Sequence, residues 1–304
     1  MRIAVFPGQG SQSPGFLSPW LALDGAADRL SQYSEWSGVD LVAAGTEWDA
    51  EQIRDTQVAQ PLIVAASLLS WNALPTRDAV VGVAGHSVGE FAAAAAAGIL
   101  SEEDALRLVG IRGRAMAEAA AAEKTGMSAV IGGDEASVVS RLEELGLTPA
   151  NYNGGGQLVA AGALDALAQL SAEPPAGTRV IPLQVAGAFH TRYMAPAVDT
   201  LRTAATQVAA SDPRVTVWTN RDGSSVASGS EFVGLLVEQV ASPVRWDLCM
   251  AAFSSAGVSG IVELSPAGTL TGLAKRALRG VPAVAVKTPD DLPTAADLLG
   301  SAGA

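Results

Sequence analysis

A chain of 304 residues, 49% of them hydrophobic, is long enough to bury a large core as one big domain or two smaller ones. Its 31 acidic and 19 basic residues leave a formal net charge of −12, which argues against nucleic acid as a partner. The single cysteine, Cys249, excludes an internal disulfide and a cysteine-rich metal site, and no apolar stretch reaches the roughly 20 residues of a membrane span.

In chain order, apolar β-rich runs alternate with helical patterns, the signature of an α/β protein with a mostly parallel sheet. Arg2–Phe6 reads as a strand with no signal-peptide cleavage site behind it, so a cytoplasmic protein is expected. The polar, glycine-rich loop Pro7-Gly8-Gln9-Gly10-Ser11-Gln12 follows it. Pro61–Trp71 reads as a buried helix, Val80–Ala84 as a strand and Phe91–Ala97 as helix-forming. Ser101 with Glu102, Glu103 and Asp104 reads as a capping box opening a helix to about Glu118, with acidic side chains at its positive end.

Between Ala122 and His190 the rhythm changes. Strand Met127–Ile131, helix Asp134–Leu145, strands Ala150–Tyr152 and Gln157–Ala161, helix Leu164–Leu170 and strand Arg179–Pro182 follow one another. That βαββαβ order is a ferredoxin-like unit, predicted as a small domain of residues 123–190 inserted into a larger one of residues 1–122 and 191–304. The larger domain resumes with helix Met194–Val208, strand Val215–Thr219, and helices Glu231–Val240 and Trp246–Ala256. Strand Gly260–Leu264, helix Thr269–Leu278 and strand Ala283–Val286 complete it. Cys249, inside the apolar run Trp246–Phe253, is expected in the core.

Gly85-His86-Ser87-Val88-Gly89 fits G-x-S-x-G, entered from a strand and left into a helix. That context is what a nucleophile elbow needs, because small residues on either side let the backbone turn and lift the serine hydroxyl clear. Its plain alternative is a turn where helix and strand pack closely. A serine hydroxyl needs a general base, and the chain has two histidines. His86 adjoins Ser87 and its side chain must point elsewhere, which leaves His190, at the seam where the small unit rejoins the large one. The amide of Val88 is the natural first oxyanion donor, and the loop Gly8-Gln9-Gly10 is either the second or an ordinary turn. Arg112 is either a surface charge, which its spacing on the helix favours, or an inward clamp for a carboxylate.

Several segments together resemble the malonyl-CoA:acyl-carrier-protein transacylase family, which includes the acyltransferase domains of polyketide synthases. They are Phe6–Gln12, Thr56–Pro61, Gly85–Glu90, Arg112-Gly113 with Met116, Gly187–His190, Asn220, Ser242–Trp246 and Gly272–Arg276. They follow the family's order and spacing over essentially the whole chain. The resemblance implies an α/β-hydrolase-like large domain with the ferredoxin-like insertion. It also implies acylated Ser87, His190 as base, and oxyanion amides from Gln9 and Val88. Arg112 would hold the malonyl carboxylate, and the backbone carbonyl of Gln239 would orient His190. Met116, Asn153 and Phe189 would stand at the substrate cleft, with Phe189 in the space a methylmalonyl group would need.

No cofactor or metal is expected: malonyl-CoA is substrate, and the phosphopantetheine belongs to the carrier protein. The implied reaction is a ping-pong transfer by a monomer, supplying fatty-acid or polyketide synthesis. A start almost at the first motif suggests a free-standing enzyme. A serine thioesterase or esterase, or a non-catalytic docking module, are the alternatives; the loop around Gln9 and Arg112 match transferases, and neither Ser87 nor His190 is missing. Because carrier proteins are acidic and so is this chain, docking would need a local basic patch, for which Lys275, Arg276, Arg279 and Arg192 are the candidates.

Overall fold

β1 (Arg2–Phe6) is buried from Ile3 onward, on both faces, as a strand in the middle of a covered parallel sheet must be. The computed structural model describes residues 1–300 and continues with α1 (Ala26–Ser37), α2 (Leu41–Thr46), α3 (Thr56–Ala73), β2 (Gly82–Gly85), α4 (Gly89–Ala96) and α5 (Glu102–Ala122). Then come β3 (Thr125–Gly132), α6 (Glu135–Glu144), β4 (Thr148–Gly154), β5 (Gln157–Ala163), α7 (Leu164–Ala172) and β6 (Thr178–Pro182). The last part holds α8 (Ala195–Ala205), β7 (Thr216–Trp218), β8 (Ser225–Val226), α9 (Gly229–Glu238), β9 (Val244–Arg245) and α10 (Trp246–Ser255). β10 (Gly260–Glu263), α11 (Thr269–Ala277), β11 (Ala283–Ala285) and α12 (Leu292–Gly300) end it.

Two sheets result. The first runs β11-β10-β1-β2-β7-β8, parallel throughout except for the antiparallel edge pair β7–β8. The second runs β6-β3-β5-β4-β9; its first four strands pair antiparallel, and β9 joins β4 in parallel. β9 is drawn from far along the chain, so the backbone after α9 is tied directly to the second sheet. Its two residues are too few to carry a strand pattern in the sequence.

α3 is buried along almost its whole length, the mark of a central helix. It starts five residues before the predicted Pro61 because Asp55 caps it, accepting from the Gln57 amide at 3.0 Å. α5 is capped by Ser101 as expected, through the Asp104 amide at 3.0 Å. The Asp104 carboxylate takes the Ser101 hydroxyl at 2.7 Å, so here the cap returns through side chains. The predicted helix from Met194 begins instead with a 3-10 turn, Arg192–Met194, before Pro196 settles the first turn of α8. Cys249 is buried, its thiol donating to the Thr219 carbonyl. Among the described residues, no helix is long and apolar enough to cross a membrane.

Candidate active site

The G-x-S-x-G turn sits between β2 and α4. Its two glycines are required by contact: a Cβ on Gly85 would lie 2.0 Å from the carbonyl carbon of Gly89, and one on Gly89 would lie 2.2 Å from the Phe6 carbonyl oxygen. Gly89→Ala should therefore push α4 off β1 and cost about 1–3 kcal/mol in chemical denaturation, with unchanged stability as the contrary result. Between them Ser87 takes φ +51°, a left-handed conformation that costs a non-glycine residue about 1–3 kcal/mol. Asn220 holds it there: its side-chain oxygen accepts from the Ser87 amide at 2.7 Å, and its amide nitrogen donates to the Gly85 carbonyl at 2.7 Å.

His190 is the other non-glycine residue at positive φ, +61°. The chain around it is pinned, with the Ala188 amide donating to Thr125 Oγ1 at 3.0 Å and the Thr191 hydroxyl donating to the Ala188 carbonyl at 2.6 Å. The result is an imidazole whose Nε2 lies 2.7 Å from Ser87 Oγ and whose Nδ1 lies 2.9 Å from the Gln239 carbonyl. A carbonyl only accepts, so Nδ1 carries the proton and Nε2 is free to take one from the serine. Burial, reinforced by the positive charge of Arg112, lowers the His190 pKa to about 3, so the ring is neutral at ordinary pH. His86 turns away, its Nε2 2.9 Å from the Asn153 side-chain oxygen on β4.

Arg112 overturns the surface reading that its spacing favoured. The residue is 1% exposed and its guanidinium points inward, 3.4 Å from Ser87 Oγ. It donates to the side-chain oxygens of Gln60 and, at 3.0 Å, Gln239. Its Nε has no partner, and no carboxylate of the described residues lies within ion-pair distance of it. Burial lowers its pKa to about 10, against the pull of Glu90, which still leaves it charged. A buried cation whose partners are all neutral is an open site for an anion.

Ser87, His190 and Arg112 face one cavity of about 240 Å³ between the two sheets. Gln9, Val88, Met116, Asn153 and Phe189 line it as well, so the sequence-derived residues converge on one place. Val88 opens α4, where the first amides lack intrahelical acceptors. Gln239 contributes its backbone as expected, and its side chain adds the contact to Arg112. Lys275, Arg276 and Arg279 are exposed on or just beyond α11, and Arg276 reaches Gln157 at the cleft at 3.0 Å. Arg192 is exposed, stacked over the Tyr193 ring at 4.8 Å. The Gly154-Gly155-Gly156 run is the β4–β5 turn, with φ of +70°, +58° and +77°, and a Cβ on Gly155 would meet Arg276 at 3.1 Å.

Sequence reading gave no role to Gln60, Glu90 or Asn220. Each is fully buried and polar. The signal available was a lone Gln inside the apolar run of α3 and a lone Glu ahead of Phe91-Ala92-Ala93-Ala94. Burial pushes the Glu90 pKa up, while the N–H groups of Asn220 and Gln239 and the charge of Arg112 pull it back toward the carboxylate. Among the described residues, no three His, Cys, Asp or Glu side chains stand together as metal ligands.

Residues 4–293 match the acyl transferase domain family. The chain is 55% identical to the malonyl CoA-acyl carrier protein transacylase of Mycobacterium tuberculosis over 98% of its own length and 100% of the relative's. A crystal structure of MCAT from the same organism superposes with a TM-score of 0.94 at 54% identity, covering 97% of this chain and 100% of that one. A malonyl-transacylase solved in complex with its type II PKS acyl-carrier protein superposes with a TM-score of 0.92 at 31% identity, covering 97% and 99%.

Proposed function

The chain belongs to the acyl transferase family, among the malonyl-CoA:acyl-carrier-protein transacylases, and on that premise we propose that it moves a malonyl group from malonyl-CoA to the phosphopantetheine thiol of an acyl carrier protein through a malonyl-Ser87 ester. The observation that carries this reading is the buried Arg112 guanidinium, without a carboxylate partner, 3.4 Å from the Ser87 hydroxyl. A substrate that brings an acyl carbon to Ser87 and a carboxylate to Arg112 satisfies both groups, and a malonyl thioester does so with one carbon between them.

In the first half-reaction Ser87 Oγ attacks the thioester carbonyl while its proton passes to His190 Nε2. The Val88 and Gln9 amides receive the oxyanion. The carbon–sulfur bond then breaks, and the coenzyme A thiolate takes the proton from His190. In the second, the carrier thiol gives its proton to His190, its sulfur attacks the ester, and Ser87 leaves as an alkoxide that recovers the proton. The Gln239 carbonyl fixes the tautomer but carries no charge to balance an imidazolium. That suits a thioester, whose thiolate leaves readily and asks little of His190 as an acid.

Phe189, buried at the cleft, supports a preference for malonyl over methylmalonyl worth about 1–3 kcal/mol, the range for one methyl in an apolar pocket. We read residues 123–190 as a ferredoxin-like insertion, because β3 to β6 pair in the order β6-β3-β5-β4, and residues 1–122 with 191–304 as an α/β-hydrolase-like domain. Every group used comes from one chain, so a monomer suffices. The carrier would serve fatty-acid synthesis, polyketide synthesis or both.

For the carrier we place docking at Lys275, Arg276 and Arg279, because they are exposed beside the cleft on a chain of net charge −12, with Arg192 as a further candidate. The test of the function is transfer with purified carrier: malonyl should appear on the carrier thiol, and without carrier the chain should release little malonate. Rapid malonate release without carrier would make it a thioesterase instead. In the same assay Lys275→Glu with Arg276→Glu should raise KM for carrier more than for malonyl-CoA; equal changes would remove the patch.

A further inference from the structure

The nucleophile and the arginine clamp are joined by a closed ring of hydrogen bonds that involves neither of their reacting atoms. One Glu90 carboxylate oxygen accepts from the Asn220 backbone amide at 2.7 Å, and the other accepts from the Gln239 side-chain nitrogen. Asn220 Oδ1 accepts from the Ser87 amide at 2.7 Å. Gln239 Nε2 also donates to the Ser87 carbonyl at 3.2 Å. Glu90, Asn220, Ser87 and Gln239 thus close on one another around the elbow. The ring then reaches the clamp, since Gln239 Oε1 accepts from Arg112 at 3.0 Å.

We propose that Glu90 is the positioning residue that sets which way round the Gln239 amide stands, and through it aims the Arg112 guanidinium at the acyl group on Ser87. The reason is donor and acceptor arithmetic. Arg112 can only donate, so it needs the oxygen of Gln239 facing it. That orientation leaves the Gln239 NH2 pointing at Glu90, which must accept. Glu90 can meet this demand as a carboxylate, the form that an N–H donor at each oxygen and the nearby Arg112 favour against burial: both oxygens then accept, one of them already taken by the fixed Asn220 backbone N–H.

Glu90→Gln keeps the size and breaks the arithmetic. The new amide must turn its oxygen to the Asn220 N–H, which cannot rotate away, and so presents its NH2 to Gln239. Gln239 then reverses, bringing its NH2 against the Arg112 donors and its oxygen against the Ser87 carbonyl. The guanidinium keeps the Gln60 oxygen, loses the Gln239 oxygen that holds its other nitrogen, and turns from the acyl group. Glu90 touches no reacting atom and acts through its neighbours.

This inference rests on the reading of Ser87 as the acylated residue. The experiment compares malonyl-CoA and acetyl-CoA as acyl donors to Ser87, by quenched-flow intact mass, in the wild-type chain and in Glu90→Gln. The malonyl rate should fall by about 10- to 100-fold, the usual cost of displacing a positioning group, and the acetyl rate by much less, so that selectivity narrows. Equal loss for both donors would make Glu90 a merely structural support of the elbow and overturn the proposal, as would no change. Gln239→Met, which removes the amide but keeps the backbone carbonyl for His190, gives a second reading should Glu90→Gln not fold. It should narrow selectivity in the same direction, and unchanged selectivity there would equally overturn the proposal. A wild-type chain that gains no acyl mass would instead refute the reading of Ser87, so the two failures look different.

Discussion

His190→Ala should slow acylation of Ser87 by malonyl-CoA by about 10²- to 10⁴-fold, with the fold retained. Nε2 stands 2.7 Å from the hydroxyl, Nδ1 is committed to the Gln239 carbonyl, and the remaining histidine is held toward Asn153, so nothing else near Ser87 can take its proton. Single-turnover rates by quenched mass would measure the loss; rates within a few-fold of wild type would remove His190 as the base. The variant should also change the response to acid. In the native chain the ring takes a proton only near pH 3, in the unfolded chain near the ordinary 6.5. Between those values the unfolded state binds more protons, so the contribution of His190 to stability is complete above pH 6.5 and is lost as pH falls toward 3. Thermal melts should show His190→Ala losing less stability than wild type over that window.

Arg112→Ala should lower malonyl-CoA kcat/KM by about 30- to 3000-fold, the equivalent of the roughly 2–5 kcal/mol lost when one member of a buried charge pair is truncated. The malonyl carboxylate would then enter a buried site with no cation to meet it, beside Gln60 and Gln239 oxygens stripped of their donor. Acetyl-CoA carries no carboxylate and should be affected far less, so the preference between the two should shrink or invert. The comparison is made by steady-state assay with both donors. Unchanged selectivity would refute the clamp, whatever happened to the absolute rates.

The parts of this site that sequence exposes are those whose chemistry forces a local pattern. The elbow announces itself because two glycines must flank the serine, and contact with Gly89 and Phe6 shows why no side chain fits there. The strands and helices from Met127 to Pro182 are legible because apolar runs alternate with segments of glycine, proline and charged residues that mark their ends. Arg112 was not legible from spacing: one turn from Leu108 on a helix with both polar and apolar neighbours, its direction depends on what α3 and the end of α9 present across the gap. Gln60 and Gln239 provide the acceptors that draw it inward, and they come from residues 52 and 127 positions away. The roles of Glu90 and Asn220 are long-range in the same sense, since their bond spans 130 residues.

α1 leaves only a faint trace in the sequence, although Ala26, Leu30, Tyr33 and Ser37 form a buried stripe at helical spacing. The polar residues between them masked it, and its interior stability comes from packing on α5, which no local pattern records. β9 is the opposite case. Two residues become a strand only because β4 offers them an open edge.

The central claim is a covalent one, a malonyl ester on Ser87, and intact-protein mass spectrometry of the chain mixed with malonyl-CoA and no carrier tests it most directly. The expected result is a stoichiometric gain of one malonyl group, mapped to the peptide containing Ser87, absent in Ser87→Ala and discharged when carrier thiol is added. A wild-type protein that turns over malonyl-CoA without ever gaining that mass, or a Ser87→Ala variant that still gains it, would contradict the account.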